Sequence, residues 1–472
     1  MGAIFSFVTC HFQTISVRRA VNDLPDADRQ ELPDVPGTDA IGPEQAAPQS
    51  RESRSFAAVA RSAAIDTRLL GMIGALIVLW IGFNIMSGGT FLTARNLWNL
   101  TVQTSVVAIM ATGMVLIIVT RNIDLSVGSM LGAVGMAMAL LQAEILPKVF
   151  GIGHPLVWIL SLAAGIALGA AIGGFQGVIV AYVGVPSFIV TLGGLLVWRG
   201  VAWWMASGRT IAPMDKTFQI FGGGARGTIG GTWTWIIGIA ACAGIVALLA
   251  MRRRQRIKFG FGPRPVWAEV GIGVVSCAVV LGATAVINSY PMPERLAMQY
   301  AEENGIAWPA GGLSIPLGLA TPVLVAIVVA LVMQFVSTRT LYGRYVYAIG
   351  GNPEAAELAG VKTRWTVVKT FALMGVLVAF AAAVQVARLN AATSGMGTLT
   401  ELYVIAAAVI GGTSLTGGVG TIPGAVLGAL VMQSLVSGMV LMGIQAPQQD
   451  IVVGVVLVAA VALDSLYRRK VT

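Results

Sequence analysis

VQTSVVAIMATGMVLIIV (Val102–Val119) and LSVGSMLGAVGMAMALLQ (Leu125–Gln142) are apolar runs of 18 residues each, separated only by the polar turn TRNID (Thr120–Asp124). At about 1.5 Å per residue, a helix of that length approaches the ~30 Å hydrocarbon core of a bilayer. A backbone in hydrocarbon must satisfy its own hydrogen bonds, so each run reads as a membrane helix and the turn as the point of reversal. Ten further segments repeat the pattern: Leu69–Met86, Leu156–Tyr182, Phe188–Ser207, Trp233–Met251, Val266–Ile287, Pro316–Val336, Trp365–Ala387, Leu402–Ile410 with its flanks, Ile422–Leu441 and Ile451–Leu466. The Leu402 segment is the weakest, because glycines crowd its end.

Composition supports the same class. Of 472 residues, 56% are hydrophobic and 11% charged, and the mean hydropathy is +0.82, outside the range of soluble domains. The expected fold is all-α, a polytopic transmembrane bundle of twelve spans, or of ten if two segments are re-entrant. Residues 1–66 differ in kind. Between Asn22 and Glu52 there are five prolines and eight acidic residues without apolar periodicity, a composition that cannot bury enough surface to fold. They read as a disordered cytoplasmic tail, with residues 67–472 as the membrane domain. MGAIFS (Met1–Ser6) fits a loose myristoylation pattern, but a chain with many spans needs no such anchor.

Charge gives the sidedness. RRRQRIKFGFGPR (Arg252–Arg264) carries six basic residues and no acid, whereas Asn288–Ile315 holds Arg295 against Glu294, Glu302 and Glu303. Basic residues also gather over Arg339–Lys369 and at Arg468, Arg469 and Lys470. An even number of spans places both termini, the Arg252 loop and the Arg339–Lys369 region in the cytoplasm. The net charge of +9 is therefore an orientation signal, and nucleic-acid binding is excluded as its explanation. Cys10, Cys242, Cys277, His11 and His154 show no disulfide or metal-ligand spacing, so no metal site is expected. No Ser-His-Asp set or pair of carboxylates at a span end points to catalysis.

NPEAAELAGV (Asn352–Val361) lies between two apolar segments. Asn352 is a preferred N-cap, Pro353 suits the first helical position, Glu354 complements the helix dipole, and Gly360 supplies the stop. Ala355, Ala356, Glu357, Leu358 and Ala359 are strong helix formers. About two turns of helix are specified, too few to stand alone in water, so the helix must dock on its own domain or on a partner.

AIGGNPEAAELAGVKTRWTVVKTF, NIDLSVGSMLGA, VIGGTSLTGGVGTIPGAVLGAL and PSFIVTLGGLLVWRG (Pro186–Gly200) together resemble the membrane permeases of bacterial ABC importers for monosaccharides, of the ribose and xylose type. The resemblance runs from about Leu69 to the C-terminus and is greatest to xylose-type permeases, because two additional apolar segments lie between Gly222 and Pro316. It implies an inner-membrane permease, paired as a homodimer, that works with a cytoplasmic ATPase and a periplasmic sugar-binding protein. By the same resemblance, Asn352–Gly360 is the coupling helix that enters the ATPase. ATP and magnesium belong to that partner. The chain has no GxxxxGK[ST], and no glycine in it is followed by lysine, so the usual phosphate-cradling loop is missing.

VGSMLGAV (Val127–Val134) and VGTIPGAV (Val419–Val426) agree at Val, Gly, Gly, Ala and Val. Each opens an apolar span after a polar turn, as interruptions at transport pathways do; shared composition is the alternative, and both readings point to close helix packing. Ser126, Gly128, Ser129, Thr413, Ser414 and Thr416 are pathway candidates on that basis. Asp124 reads as a helix cap, with sugar contact as the alternative. Gln176 and Arg199 fall within or near spans, and Arg199, beside Trp198, Trp203 and Trp204, reads as snorkelling within an interfacial belt. The rival class is a gradient-driven transporter or channel, which needs intramembrane ionisable relays. Asp124, Glu401 and Asp464 lie near span ends instead.

Overall fold

The computed structural model describes residues 67–469 apart from 225, 262–264, 304 and 310–311, so the tail expected over residues 1–66 lies outside the described residues. All twelve apolar segments are helical. In chain order, α1 (Thr67–Met86), α2 (Ala94–Val119), α3 (Val127–Phe150), α4 (Pro155–Val183) and α5 (Ser187–Ala206) precede a hairpin of α6 (Gly230–Lys258) and α7 (Val266–Asn288). Then follow α8 (Glu294–Glu303), α9 (Thr321–Arg339), α10 (Leu341–Gly351), α11 (Pro353–Leu358), α12 (Thr363–Leu389), α13 (Thr400–Ile410), α14 (Ile422–Leu441) and α15 (Ala446–Arg469). Among the described residues, nine helices are long and apolar enough to cross a membrane: α2 to α7, α9, α12 and α14. Shorter apolar stretches, Gly71–Met86, Thr400–Ile410 and Ala446–Ala459, stand at the other three segments.

Burial separates core from periphery. In the most apolar stretch of α2, 94% of residues are buried, against 11% in α6 and in α7. The centre is built from α2, α3, α4, α12, α13 and α14, while α6 and α7 pack chiefly on each other. The closest pairing is α4 with α12. Gly165, Gly169, Gly173 and Gly177 recur every fourth residue along α4, and a Cβ at Gly169 or Gly173 would collide with the carbonyl of Gly375 or Phe371 on α12. Association of helices in lipid rests on such close approach, because burial of apolar surface gains nothing there.

One expected span is corrected. α13 has 11 residues, about 16 Å of helix, half of what a crossing needs. It begins inside the bundle after Gly397 at φ 80° and Leu399 at φ 61°, with Glu401 and Val404–Val409 buried. The two similar motifs hold its ends. A Cβ at Gly128 would meet Glu401 Oε2 and the Gly397 carbonyl, and one at Gly424 would meet the Gly411 carbonyl. The motifs are not in one register, since α3 starts at the first residue of its copy and α14 at the fourth.

The helix ends carry the site. α6 starts beside the entry to α9, where Gly230 bridges Gly318, so alternation brings the ends of α6 and α9 to one face. α10 and α11 occupy that face, and α12 leaves from it to reach Leu389. The opposite face carries the Ile211–Ala392 bridge.

Candidate coupling and translocation site

α11 is locally specified. Asn352 stands in extended backbone, and its Oδ1 accepts the Ala355 N–H at 3.0 Å. Pro353 occupies the first turn. At the other end the Val361 N–H reaches the Ala356 carbonyl at 3.0 Å and the Gly360 N–H reaches Glu357 at 2.9 Å, with Gly360 at φ 83°. This nested pair is the Schellman closure that glycine favours. Of the six helical residues only Ala356 is buried, and Leu358 is 90% exposed. Glu354, Ala355 and Glu357 are exposed beside it. α11 thus gives its own domain the Ala356 methyl group and part of Pro353, and offers its other four residues outward.

Behind α11 lies a joint between three segments. Arg121, at φ 62° just beyond the end of α2, donates from Nε to Gly350 O at 2.9 Å and from Nη2 to Gly351 O at 2.8 Å. The Gly418 N–H reaches Val119 O at 3.0 Å, and Tyr347 Oη donates to Gly420 O at 2.7 Å. The end of α10, from which α11 follows, is therefore hydrogen-bonded to the end of α2 and to the turn that precedes α14.

Thr413, Ser414 and Thr416 build that turn. Ser414 Oγ lies 2.7 Å from Thr416 Oγ1, and the Ser414 N–H reaches Val419 O at 2.8 Å. They lie at the joint, apart from the other pathway candidates.

Asp124, Ser126 and Gln176 come together. Asp124 Oδ1 accepts the Ser126 N–H at 2.9 Å and lies 2.6 Å from Ser126 Oγ, which is also 3.0 Å from Gln176 Oε1. The connection between α2 and α3 that holds Asp124 is strapped to α5, because the Ile123 N–H reaches Ser187 Oγ at 3.2 Å and Thr191 Oγ1 donates to Ile123 O at 3.2 Å. Asp124 is wholly buried, and burial pushes its carboxyl up to about 6 against the pull of the Ser126 hydrogen bonds. The Asp124 carboxylate thus caps the turn before α3, but its Oδ2 and Gln176 Nε2 have no protein partner among the described residues. Ser129 turns back on its own helix, donating to Ser126 O at 2.9 Å.

Arg199 lies within a span, as its position in the sequence suggests. It is the thirteenth of the 20 residues of α5 and half-buried. Trp203 and Trp204, one turn further along α5, are 57% and 76% exposed. Glu401 does lie near a segment end, but that end is interior. The residue is 4% exposed, with Oε2 against Gly128 and unpartnered among the described residues. Sequence reasoning did not select Glu401, Arg121 or Tyr347. Among the described residues no group of His, Cys, Asp and Glu could hold a metal ion.

Long lipid-length helices, polar groups buried beside a short interior helix and an outward capped helix together mark a multi-pass membrane transport component. Residues 96–461 match the family model described as branched-chain amino acid transport system / permease component, and the chain belongs to that family of ABC-type permeases, which are transport subunits and not enzymes. The chain is 36% identical to the xylose transport system permease protein of Escherichia coli K12, over 86% of this chain and 94% of that protein. Its identity to the corresponding protein of Haemophilus influenzae is also 36%, covering 86% and 98%. The ribose import permease protein of Escherichia coli K12 is 32% identical, covering 79% and 87%. No solved structure is a significant match.

Proposed function

We propose that this chain is the permease of an ATP-driven importer for D-xylose or a related aldose in a bacterial inner membrane. It pairs with a second copy, a periplasmic sugar-binding protein delivers the solute, and a separate cytoplasmic ATPase supplies ATP and magnesium chemistry. Both termini, the tail 1–66 and α11 lie on the cytoplasmic side, consistent with the basic Arg252–Lys258 and Arg339–Lys369 regions. The relatives named for xylose support the choice of sugar.

The observation that carries the reading is α11: a well-capped helix, buried through Ala356 alone, presenting a 90% exposed Leu358. A two-turn helix is too short to hold itself in water, and one that docks so little on its own domain is suited to docking on a partner. Asn352, Pro353, Glu354, Ala355, Ala356, Glu357, Leu358 and Gly360 form the coupling element, with Lys362 and Arg364 as flanking contacts. ATP-driven closure of the ATPase pair moves α11, and the Arg121–Gly350 joint passes the movement to α2 and α14. Asp124, Ser126, Gly128, Ser129, Gln176, Arg199, Thr413, Ser414 and Thr416 line or support the route between the two copies.

The test is ATP hydrolysis by the ATPase pair reconstituted with this permease and sugar-loaded binding protein. Stimulation by xylose-loaded binding protein that requires the permease supports the proposal; hydrolysis indifferent to the permease contradicts it. One observation favours a second reading. Glu401 is an ionisable group inside the bundle, 4% exposed and with Oε2 unpartnered among the described residues, as a gradient-driven carrier needs, and such a carrier would transport without any ATPase.

A further inference from the structure

α6 and α7 form a hairpin that the rest of the chain barely covers. Between them, toward the end of α6 and the start of α7, runs a groove of about 400 Å³ lined by Val246, Leu249, Val270, Gly273, Val274 and Cys277. Its walls face outward, with Val246, Val270 and Val274 each more than half exposed. At its head Arg253 Nη1 holds Glu269 Oε2 at 2.7 Å. Glu269 is the only acid on α6 or α7, so this pair leaves the neighbouring cations without a counter-charge.

Those cations are Arg252, Arg254, Arg256 and Lys258 in the last turns of α6. Arg252, Arg254 and Lys258 are exposed, and none of the four makes a hydrogen bond or ion pair among the described residues. Phe259, Phe261 and Trp267, 69%, 68% and 59% exposed, stand around them. Aromatic rings at this position mark the level of the headgroups.

We infer that this groove is a binding site for an anionic phospholipid, its acyl chain along Val246–Leu249 and Val270–Val274 and its phosphate at the basic end of α6, where Arg254 and Lys258 share one face and Arg252 adds its charge from the other side. The charge pattern selects the occupant. An apolar channel that ends in uncompensated cations within an aromatic rim complements one amphiphile with a negative head, whereas a second protein surface would leave three cations to be desolvated. The site is independent of the coupling and translocation residues, so it stands or falls apart from the proposed function.

The test is native mass spectrometry of the full chain released from nanodiscs of equimolar phosphatidylglycerol and phosphatidylcholine. The parent chain is expected to retain phosphatidylglycerol selectively. Each basic residue at the surface contributes about fivefold, so the triple variant Arg252→Gln, Arg254→Gln, Lys258→Gln is expected to lose about hundredfold of that selectivity. These side chains lack protein partners, so its melting temperature in detergent should match the parent. Val274→Trp, which fills the groove and keeps every charge, should also lose retained lipid, while Arg252→Lys with Arg254→Lys should keep it. Equal retention of both lipids by the parent chain, or selectivity unchanged in the triple variant, overturns the inference. So does cross-linking of α6 and α7 to a second copy, which would mean that protein covers this face.

Discussion

Replacing Leu358 by alanine separates coupling from folding. Leu358 is 90% exposed in the isolated permease, so truncation removes almost no buried surface from the chain itself. Alanine is also the strongest helix former, which leaves α11 intact. If the leucine inserts into an ATPase cleft, truncation forfeits about 2 kcal/mol of burial, and at about 1.4 kcal/mol per tenfold this weakens association roughly thirtyfold. The assay is binding of the purified ATPase to permease held in nanodiscs, read by biolayer interferometry, alongside a thermal melt. Leu358→Met, similar in volume and polarity, should bind within about threefold of the parent. An affinity for Leu358→Ala within twofold of the parent would refute the reasoning. A melting temperature lowered by several degrees would also refute it, because α11 would then be holding its own domain together.

Arg121→Ala removes charged donors to Gly350 O and Gly351 O at 2.9 and 2.8 Å, about 2 kcal/mol at the joint; ATPase binding should persist while uptake falls at least tenfold, and parallel losses of both would contradict transmission through this joint. Gly169→Ala should abolish monodisperse protein on size exclusion, because its Cβ collides with the Gly375 carbonyl. Gly174→Ala, whose Cβ meets only Ala372 Cβ at 3.8 Å, should be tolerated, and equal behaviour of the pair would contradict the α4–α12 packing. The folded chain holds the Asp124 proton up to about 6, so the contribution of this group is fully present below the ordinary carboxylate range and is lost as pH rises through about 6. The difference is worth about 3 kcal/mol. Melts between pH 4.5 and 7.5 should show that fall, and Asp124→Asn should flatten it; an unaltered profile in the variant counts against the assignment.

The sequence makes α11 fully legible, because Asn352, Pro353 and Gly360 act within their own few residues and their caps form as the residue types dictate. Apolar length likewise locates all twelve helical segments. What it does not convey is depth. Leu402–Ile410 reads as a weak span because hydropathy is blind to whether a helix begins at the surface or inside the bundle, and Glu401 at its start therefore looks peripheral. The close pairing of α4 with α12 does have a signal, glycine at every fourth position from Gly165 to Gly177, which the abundance of glycine masks. The role of Arg121 has none, since neither its left-handed backbone nor the distant carbonyls it binds is written nearby. Thr413, Ser414 and Thr416 belong to a turn whose meaning depends on α2 and α10 docking against it.

The most direct measurement of the central claim is uptake of labelled xylose into proteoliposomes containing this chain, alone and with its ATPase, sugar-loaded binding protein and ATP. The account predicts accumulation only in the complete mixture, abolished when ATP is replaced by a non-hydrolysable analogue. Uptake by the chain alone, driven by a proton or sodium gradient, would contradict it and assign the buried Glu401 the central role.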